Sequence, residues 1–210
     1  MIDMSEVGKR IIKGQFRKVR QIKGWFLTTL YWIVDSCYNK SKEVSAFLKD
    51  QIILEQEVLV KKALELKGVD HDETAVNILK YVIEKFKYRS DIGEVWTNAT
   101  STFSRRYGDC EDLNTLVYVL CRFAGIPSYL LYVGLVDTNY DEDSLIDHYM
   151  VFYWSSGRNR KDKKDKLVVL DATYYPETSS IEDREEFSLH RGVDKIHYLF
   201  NEERCYNVNM

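Results

Sequence analysis

Three side chains in this 210-residue sequence are of types that together perform nucleophilic chemistry: Cys110, His148 and Asp171. Cys110 follows Tyr107-Gly108-Asp109 and opens an apolar run with helical spacing. The free N–H groups and the positive end of a helix dipole gather at such a position, and both favour thiolate over thiol. Asp109 and Asp112 can cap that helix end, although their charges oppose the thiolate. His148 begins one strand-like segment and Asp171 stands near the end of the next. Residues far apart in sequence become neighbours across an antiparallel pair. An imidazole there can take the thiol proton while a carboxylate fixes its tautomer and orientation. Each residue also has a plainer use. A cysteine near a helix start is ordinarily a small core residue, a strand histidine a hydrogen-bonded core side chain, and an aspartate after a strand a turn former. Spacing alone leaves both readings open.

The elements that must position these residues can be read from periodicity. Residues 41–67 predict a helix, capped by Ser41, with Val44, Phe47, Leu48, Ile52, Leu54, Val58, Leu59 and Leu64 as its apolar stripe and Gly68 as its end. A second helix is predicted from Asp72 to Phe86. Residues 87–107, with Gly93 and a Thr/Ser/Asn cluster, read as irregular. A third helix starts near Asp109. Leu113, Leu116, Val117, Leu120 and Ala124 share one face of it, Gly125 stops it, and Pro127 prevents its return. The period then changes from 3.6 to 2. Tyr129–Val136, His148–Trp154 and Lys166–Thr173 are strand candidates, the last two joined by the polar loop 155–165. The tail from Ile196, with Tyr198, Leu199, Phe200 and Tyr206, can return as a further strand. Helices followed by an antiparallel sheet make an α+β protein.

The stretch Tyr107-Gly108-Asp109-Cys110-Glu111-Asp112, with Gly125-Ile126-Pro127 fifteen residues past the cysteine, resembles the core motif of the transglutaminase-like cysteine peptidase superfamily. So does the later His148, followed by a strand ending Leu170-Asp171-Ala172-Thr173. The resemblance covers about residues 72–175, with Tyr88, Asp91 and Trp96 as its weaker upstream part. It implies a papain-like core with helices packed on an antiparallel sheet, Cys110 as nucleophile, His148 as base and acid, and Asp171 as orienting carboxylate. The sequence departs from the family pattern at Met150, where an aromatic residue is common, at Ala172, where proline is common, and in the widened interval between His148 and Asp171. These departures bear on substrate choice more than on chemistry. An oxyanion would be held by the Cys110 backbone N–H and a second donor. Trp96 and Asn98 are the upstream candidates, and Trp96 is equally suited to be an aromatic lid over the core.

The implied activity is a peptidase or amidase acting on a peptide or protein through a thioester. The alternatives are an amine-acceptor transglutaminase and a non-catalytic binding or assembly protein, of phage-related type, that keeps the fold. Residues 1–40 form a basic arm and apolar segment, and 41–210 the domain itself. From residue 7 to 34 there is no acid; seven Lys and Arg residues precede the run Trp25–Val34. That run has ten residues where a membrane span needs about 20, so no transmembrane segment is expected. The arm is expected to lead into a buried strand or short helix. The sharper alternative has it dock on an anionic partner. Net charge of −3 asks for no nucleic acid, and 45% hydrophobic residues allow a core without staples. Cys37, Cys110, Cys121 and Cys205 have no C-x-x-C spacing, so free thiols in a cytoplasmic or other intracellular setting are expected. His71, His190 and His197 form no ligand set, and no metal or other cofactor is expected. The Asn39 and Asn98 sequons are short enough to arise by chance.

Overall fold

A computed structural model describes residues 45–52, 56–90, 96–137, 148–155, 166–173 and 195–207. The basic arm, the apolar run 25–34, Ser41, Cys37, His190 and the polar loop 156–165 lie outside the described residues.

The single helix expected over 41–67 is divided. Residues 45–52 are helical, and α1 (Glu57–Glu65) starts afresh after Gln56, whose backbone is extended at φ −79 and ψ 108. The restart shifts the buried face. Leu59 and Ala63 are inside, whereas Val58 and Leu64, counted in the expected stripe, are 46% and 56% exposed. Helix α2 (His71–Lys85) follows its predicted span closely. Asp70 caps it, accepting from the Glu73 N–H at 2.8 Å, while Glu73 Oε2 accepts from the Val69 N–H at 2.7 Å. This is a near relative of the capping box. Ala75, Ile78, Leu79 and Val82 are buried as the spacing requires.

Residues 87–107 hold more order than expected. Strands β1 (Lys87–Tyr88) and β2 (Tyr107–Gly108) pair in parallel, and between them lies α3 (Ala99–Arg105). Helix α3 ends on Arg106 in the left-handed region, at φ 63. The Arg106 guanidinium lies over the rings of Phe103 and Phe86, at 4.4 and 4.9 Å from their centroids. That cation–π stacking offsets part of the cost of the strained backbone.

Helix α4 (Cys110–Phe123) is the centre of the fold. Every residue from Asp112 to Cys121 is buried, which marks a helix enclosed on all sides. Helices α1, α2 and α3 pack against it, and so does the sheet. Gly125, at φ +97, turns the chain out of the helix, and the Ile126 N–H returns to the Cys121 carbonyl at 3.0 Å. A 3-10 turn at Ser128–Leu130 follows Pro127, so the next strand begins two residues later than periodicity suggested.

The sheet has five strands: β3 (Leu131–Asp137), β4 (His148–Ser155), β5 (Lys166–Leu170), β6 (Lys195–Phe200) and β7 (Cys205–Asn207). Their spatial order is β5-β4-β3-β6-β7, and every neighbouring pair is antiparallel. The molecule is α+β, as the element order predicted. Strand β6 sits inside the sheet, paired on one edge with β3 from much earlier in the chain and on the other with β7. Opposed residues share a face. Leu131, Val133 and Leu135 therefore join Tyr149, Val151, Tyr153, Val168 and Leu170 against the helices. Val136, Met150, Phe152, Val169 and Ile196 form a second buried cluster on the other face. On that face Gly134 lies directly beneath the Phe152 ring. A Cβ there would stand 2.3 Å from Phe152 Cε2, so only glycine fits. Among the described residues no helix is long and apolar enough to cross a membrane.

Candidate active site

The approach to Cys110 is built by close packing at the start of α4. Asp109 is the N-cap, accepting from the Asp112 N–H at 3.3 Å. Asp112 is buried, pairs with Arg105, and accepts from the Thr97 N–H at 3.2 Å. Gly108 is the residue that lets Asp112 fold back, because a Cβ on it would stand 2.5 Å from the Asp112 Cβ. Glycine at position 108 is therefore a steric requirement of this helix start. Burial raises the Asp112 carboxyl above its ordinary range, although Arg105 opposes that.

Cys110 is half-buried and packs against the main core. Its thiol donates to Glu111 Oε2 at 3.1 Å, and its sulfur accepts the backbone N–H of Tyr149 from β4. Burial pushes the thiol well above its usual range. The charge of Glu111 and its hydrogen bond push it further, and the Tyr149 N–H acts the other way. The expected lowering by the helix terminus is outweighed here.

His148 opens β4, one residue before Tyr149. Its Nε2 lies 2.6 Å from Asp171 Oδ2, and both side chains are buried. Strand β5 ends at Leu170, so Asp171 occupies the first position beyond it. Its other oxygen accepts from Thr173, through both backbone N–H and hydroxyl, at 2.8 and 2.7 Å. Burial pushes the Asp171 carboxyl up, but His148 and the donors Asn114 and Thr173 outweigh it and hold it below the ordinary value.

Asn114, one turn along α4 from Cys110, joins the two halves. Its Nδ2 donates to the Tyr149 carbonyl at 2.8 Å and to Asp171 Oδ1 at 3.0 Å. Its Oδ1 accepts from the Ala172 N–H at 2.9 Å. Thr115 Oγ1 lies 3.0 Å from the Tyr149 hydroxyl and fixes the neighbouring ring. Trp96 meets that ring edge to face at 5.4 Å and Phe47 at 5.6 Å, on the helix side of β4. Asn98 stands apart in role: its Oδ1 caps α3, accepting from the Ser101 N–H at 2.8 Å.

The structure thus joins His148 to Asp171, brings the main chain beside His148 onto the Cys110 sulfur, and gives the thiol hydrogen to Glu111. Residues 60–161 match the family model of the transglutaminase-like superfamily, a span containing Cys110 and His148 and ending before Asp171. Over that span the chain is similar to the transglutaminase-like superfamily. Three solved structures of Legionella pneumophila LapG are similar to it. The EGTA-treated form is 14% identical, with 99% of this chain and 86% of LapG covered and a TM-score of 0.53. A second LapG structure is also 14% identical, with 99% and 88% covered and a TM-score of 0.53. The calcium-bound form is 17% identical, with 70% and 87% covered and a TM-score of 0.47. No curated protein matches the sequence.

Within the matched span, two residues at the site had no role assigned from sequence. Asn114 is a buried amide on a helix whose neighbours Leu113, Leu116 and Val117 are all apolar, and that contrast was its signal. Glu111 stood in the motif itself, but nothing in its type distinguished it from a solvated carboxylate. Among the described residues, Cys110, Cys121 and Cys205 are free thiols, and no group of three or more His, Cys, Asp or Glu side chains is arranged to hold a metal ion.

Proposed function

We propose that this protein is a thiol-dependent amide hydrolase, a peptidase or amidase, acting on a peptide or protein substrate. The observation that carries the reading is the buried His148–Asp171 pair at 2.6 Å, set beside a helix-terminal Cys110 whose sulfur receives the next residue's N–H. In this reading His148 takes the Cys110 proton, and the thiolate attacks the amide carbonyl carbon to form a C–S bond. The carbonyl electron pair moves to oxygen, where the Cys110 N–H is one donor. Collapse breaks the C–N bond, and the imidazolium gives its proton to the departing amine. A water, deprotonated by His148, then attacks the thioester. The C–S bond breaks, the acid product leaves, and the proton returns to the thiolate. Asp171 holds the imidazole and stabilises its charged form throughout. An amine in place of water gives transamidation by the same residues.

A second reading is favoured by the thiol's pairing with Glu111 and its upward shift: a protein that keeps the fold for binding or assembly. One experiment separates them. The full chain, with C110A and H148A controls, is incubated with a peptide library, with and without an added primary amine, and read by mass. Peptide fragments that vanish in both variants support the hydrolase, and amine adducts support the transglutaminase. Unchanged peptides in every arm overturn the enzymatic reading. The basic arm is proposed to meet an anionic partner, and loss of anionic-vesicle binding on deleting residues 1–24 is the expected result.

A further inference from the structure

We infer that Glu111 acts as a brake on the nucleophile: its carboxylate accepts the Cys110 thiol hydrogen and must release it before His148 can take that proton. The inference rests on the hydrolase reading for its consequence but not for its chemistry.

The thiol has one hydrogen, and it is directed at Glu111 Oε2 at 3.1 Å. The imidazole Nε2 is committed to Asp171 at 2.6 Å. Proton transfer from sulfur to His148 therefore requires the S–H to turn about the Cβ–Sγ bond away from Glu111, or Glu111 to withdraw. A helix N-terminus also stabilises a carboxylate, so the feature expected to favour thiolate instead favours the brake. The titratable groups that act on the sulfur are Glu111 on α4 and Asp109, the cap before it, while Tyr149 of β4 meets the sulfur through its backbone N–H; His148, the residue before Tyr149, is held by Asp171. Asp109 is engaged in capping and Tyr149 holds Thr115, whereas Glu111 touches the thiol itself. Glu111 is only half-buried, so its carboxylate can swing into solvent at small cost. The upward push on the thiol agrees with the contact: after burial, Glu111 supplies the next two contributions.

The test reads the thiol without any substrate. Iodoacetamide alkylation of Cys110 is followed in the full chain by peptide mass mapping, which separates it from Cys121 and Cys205, between pH 6 and 10. E111Q keeps the shape and removes the charge. E111D keeps the charge and withdraws it by one methylene. Both are expected to alkylate about tenfold faster at pH 7, or more, with the rate midpoint moved to lower pH, since one unit of pKa is tenfold in thiolate. Thermal melts should stay at the wild-type value. Rates equal to or below wild type in both variants overturn the inference. Peptide cleavage, measured in parallel, keeps the two proposals apart. Faster alkylation without cleavage leaves the brake standing and removes the hydrolase; cleavage with unchanged alkylation does the reverse.

Discussion

Asn114 and Asp171 are linked by a buried hydrogen bond of 3.0 Å, and the same amide nitrogen holds the Tyr149 carbonyl at 2.8 Å. Through this one side chain the central helix sets the position of the carboxylate that orients His148. The sheet end and the helix start are thus registered against each other by polar contacts inside an otherwise apolar interface. Such contacts are demanding, because each group left unpaired costs about 1–3 kcal/mol.

Replacing Asn114 with Ala strands the Tyr149 carbonyl, one Asp171 oxygen contact and the Ala172 N–H together. The expected loss is about 3 kcal/mol of stability, allowing for partial rescue by water. Urea unfolding of N114A checks the magnitude. A loss below about 1 kcal/mol would mean the three partners find other donors and acceptors.

Asp171 makes stability depend on pH in a defined direction. Its folded carboxyl is held below its ordinary value, so the unfolded chain binds the proton more readily. The resulting stabilisation is complete above the unfolded value, about 3.9, and is lost as pH falls through the lower folded value. Urea midpoints from pH 2 to 6 should therefore decline more steeply at the acid end for wild type than for D171N. Parallel curves would show that the buried pair carries no linkage.

Gly134 has no room for a methyl group under Phe152, whose ring is fully buried. G134A is expected to cost about 1–3 kcal/mol through overpacking. The double variant G134A/F152L should recover part of that loss, since the leucine vacates the ring edge. The coupling energy from the four melting curves is the measurement, and simple additivity would place the strain elsewhere.

Glu202 binds both Tyr118 and Arg122 across the gap between α4 and the β6–β7 turn, with Arg122 Nε at 2.6 Å. Burial, reinforced by Glu202, pushes the Tyr118 hydroxyl above its ordinary range. E202A leaves a largely buried guanidinium and phenol without their acceptor, and about 2–4 kcal/mol of destabilisation is expected. E202Q should recover part of it. Chemical denaturation of the pair of variants decides, and equal losses would show that charge alone matters.

Where the sequence was legible, strong period or clear punctuation made it so. Helix α4 shows a capping aspartate, an apolar face and the stop Gly125-Ile126-Pro127, and its limits follow. Strands β3, β4 and β5 announce themselves by β-branched and aromatic runs. Helix α3 does not, because seven residues rich in Thr and Ser bury only Ala99, Thr102 and Phe103, and its cap Asn98 resembles any loop asparagine. The break at Gln56 was invisible for the opposite reason. Leucines and valines continue on both sides, so periodicity runs across a residue whose backbone is extended.

At the site, strand logic anticipated that His148 and Asp171 would meet across adjacent strands. It could not anticipate which acceptor the thiol would choose. Sequence spacing placed Glu111 beside Cys110, but only side-chain rotamers direct its carboxylate back over the sulfur. Asn114 shows the converse. Its polar side chain stands beside apolar Leu113, Leu116 and Val117, yet its partners lie 35 and 57 residues away, beyond the reach of any local pattern.

Cys110 and Asn114 are one turn apart on α4, separated by a rise of about 6 Å. The Cys110 thiol and the Asn114 amide therefore ride on the same rigid rod. A tilt or slide of that rod carries both together, so thermal motion leaves their spacing nearly constant. Their mutual ordering is complete as soon as the helix forms.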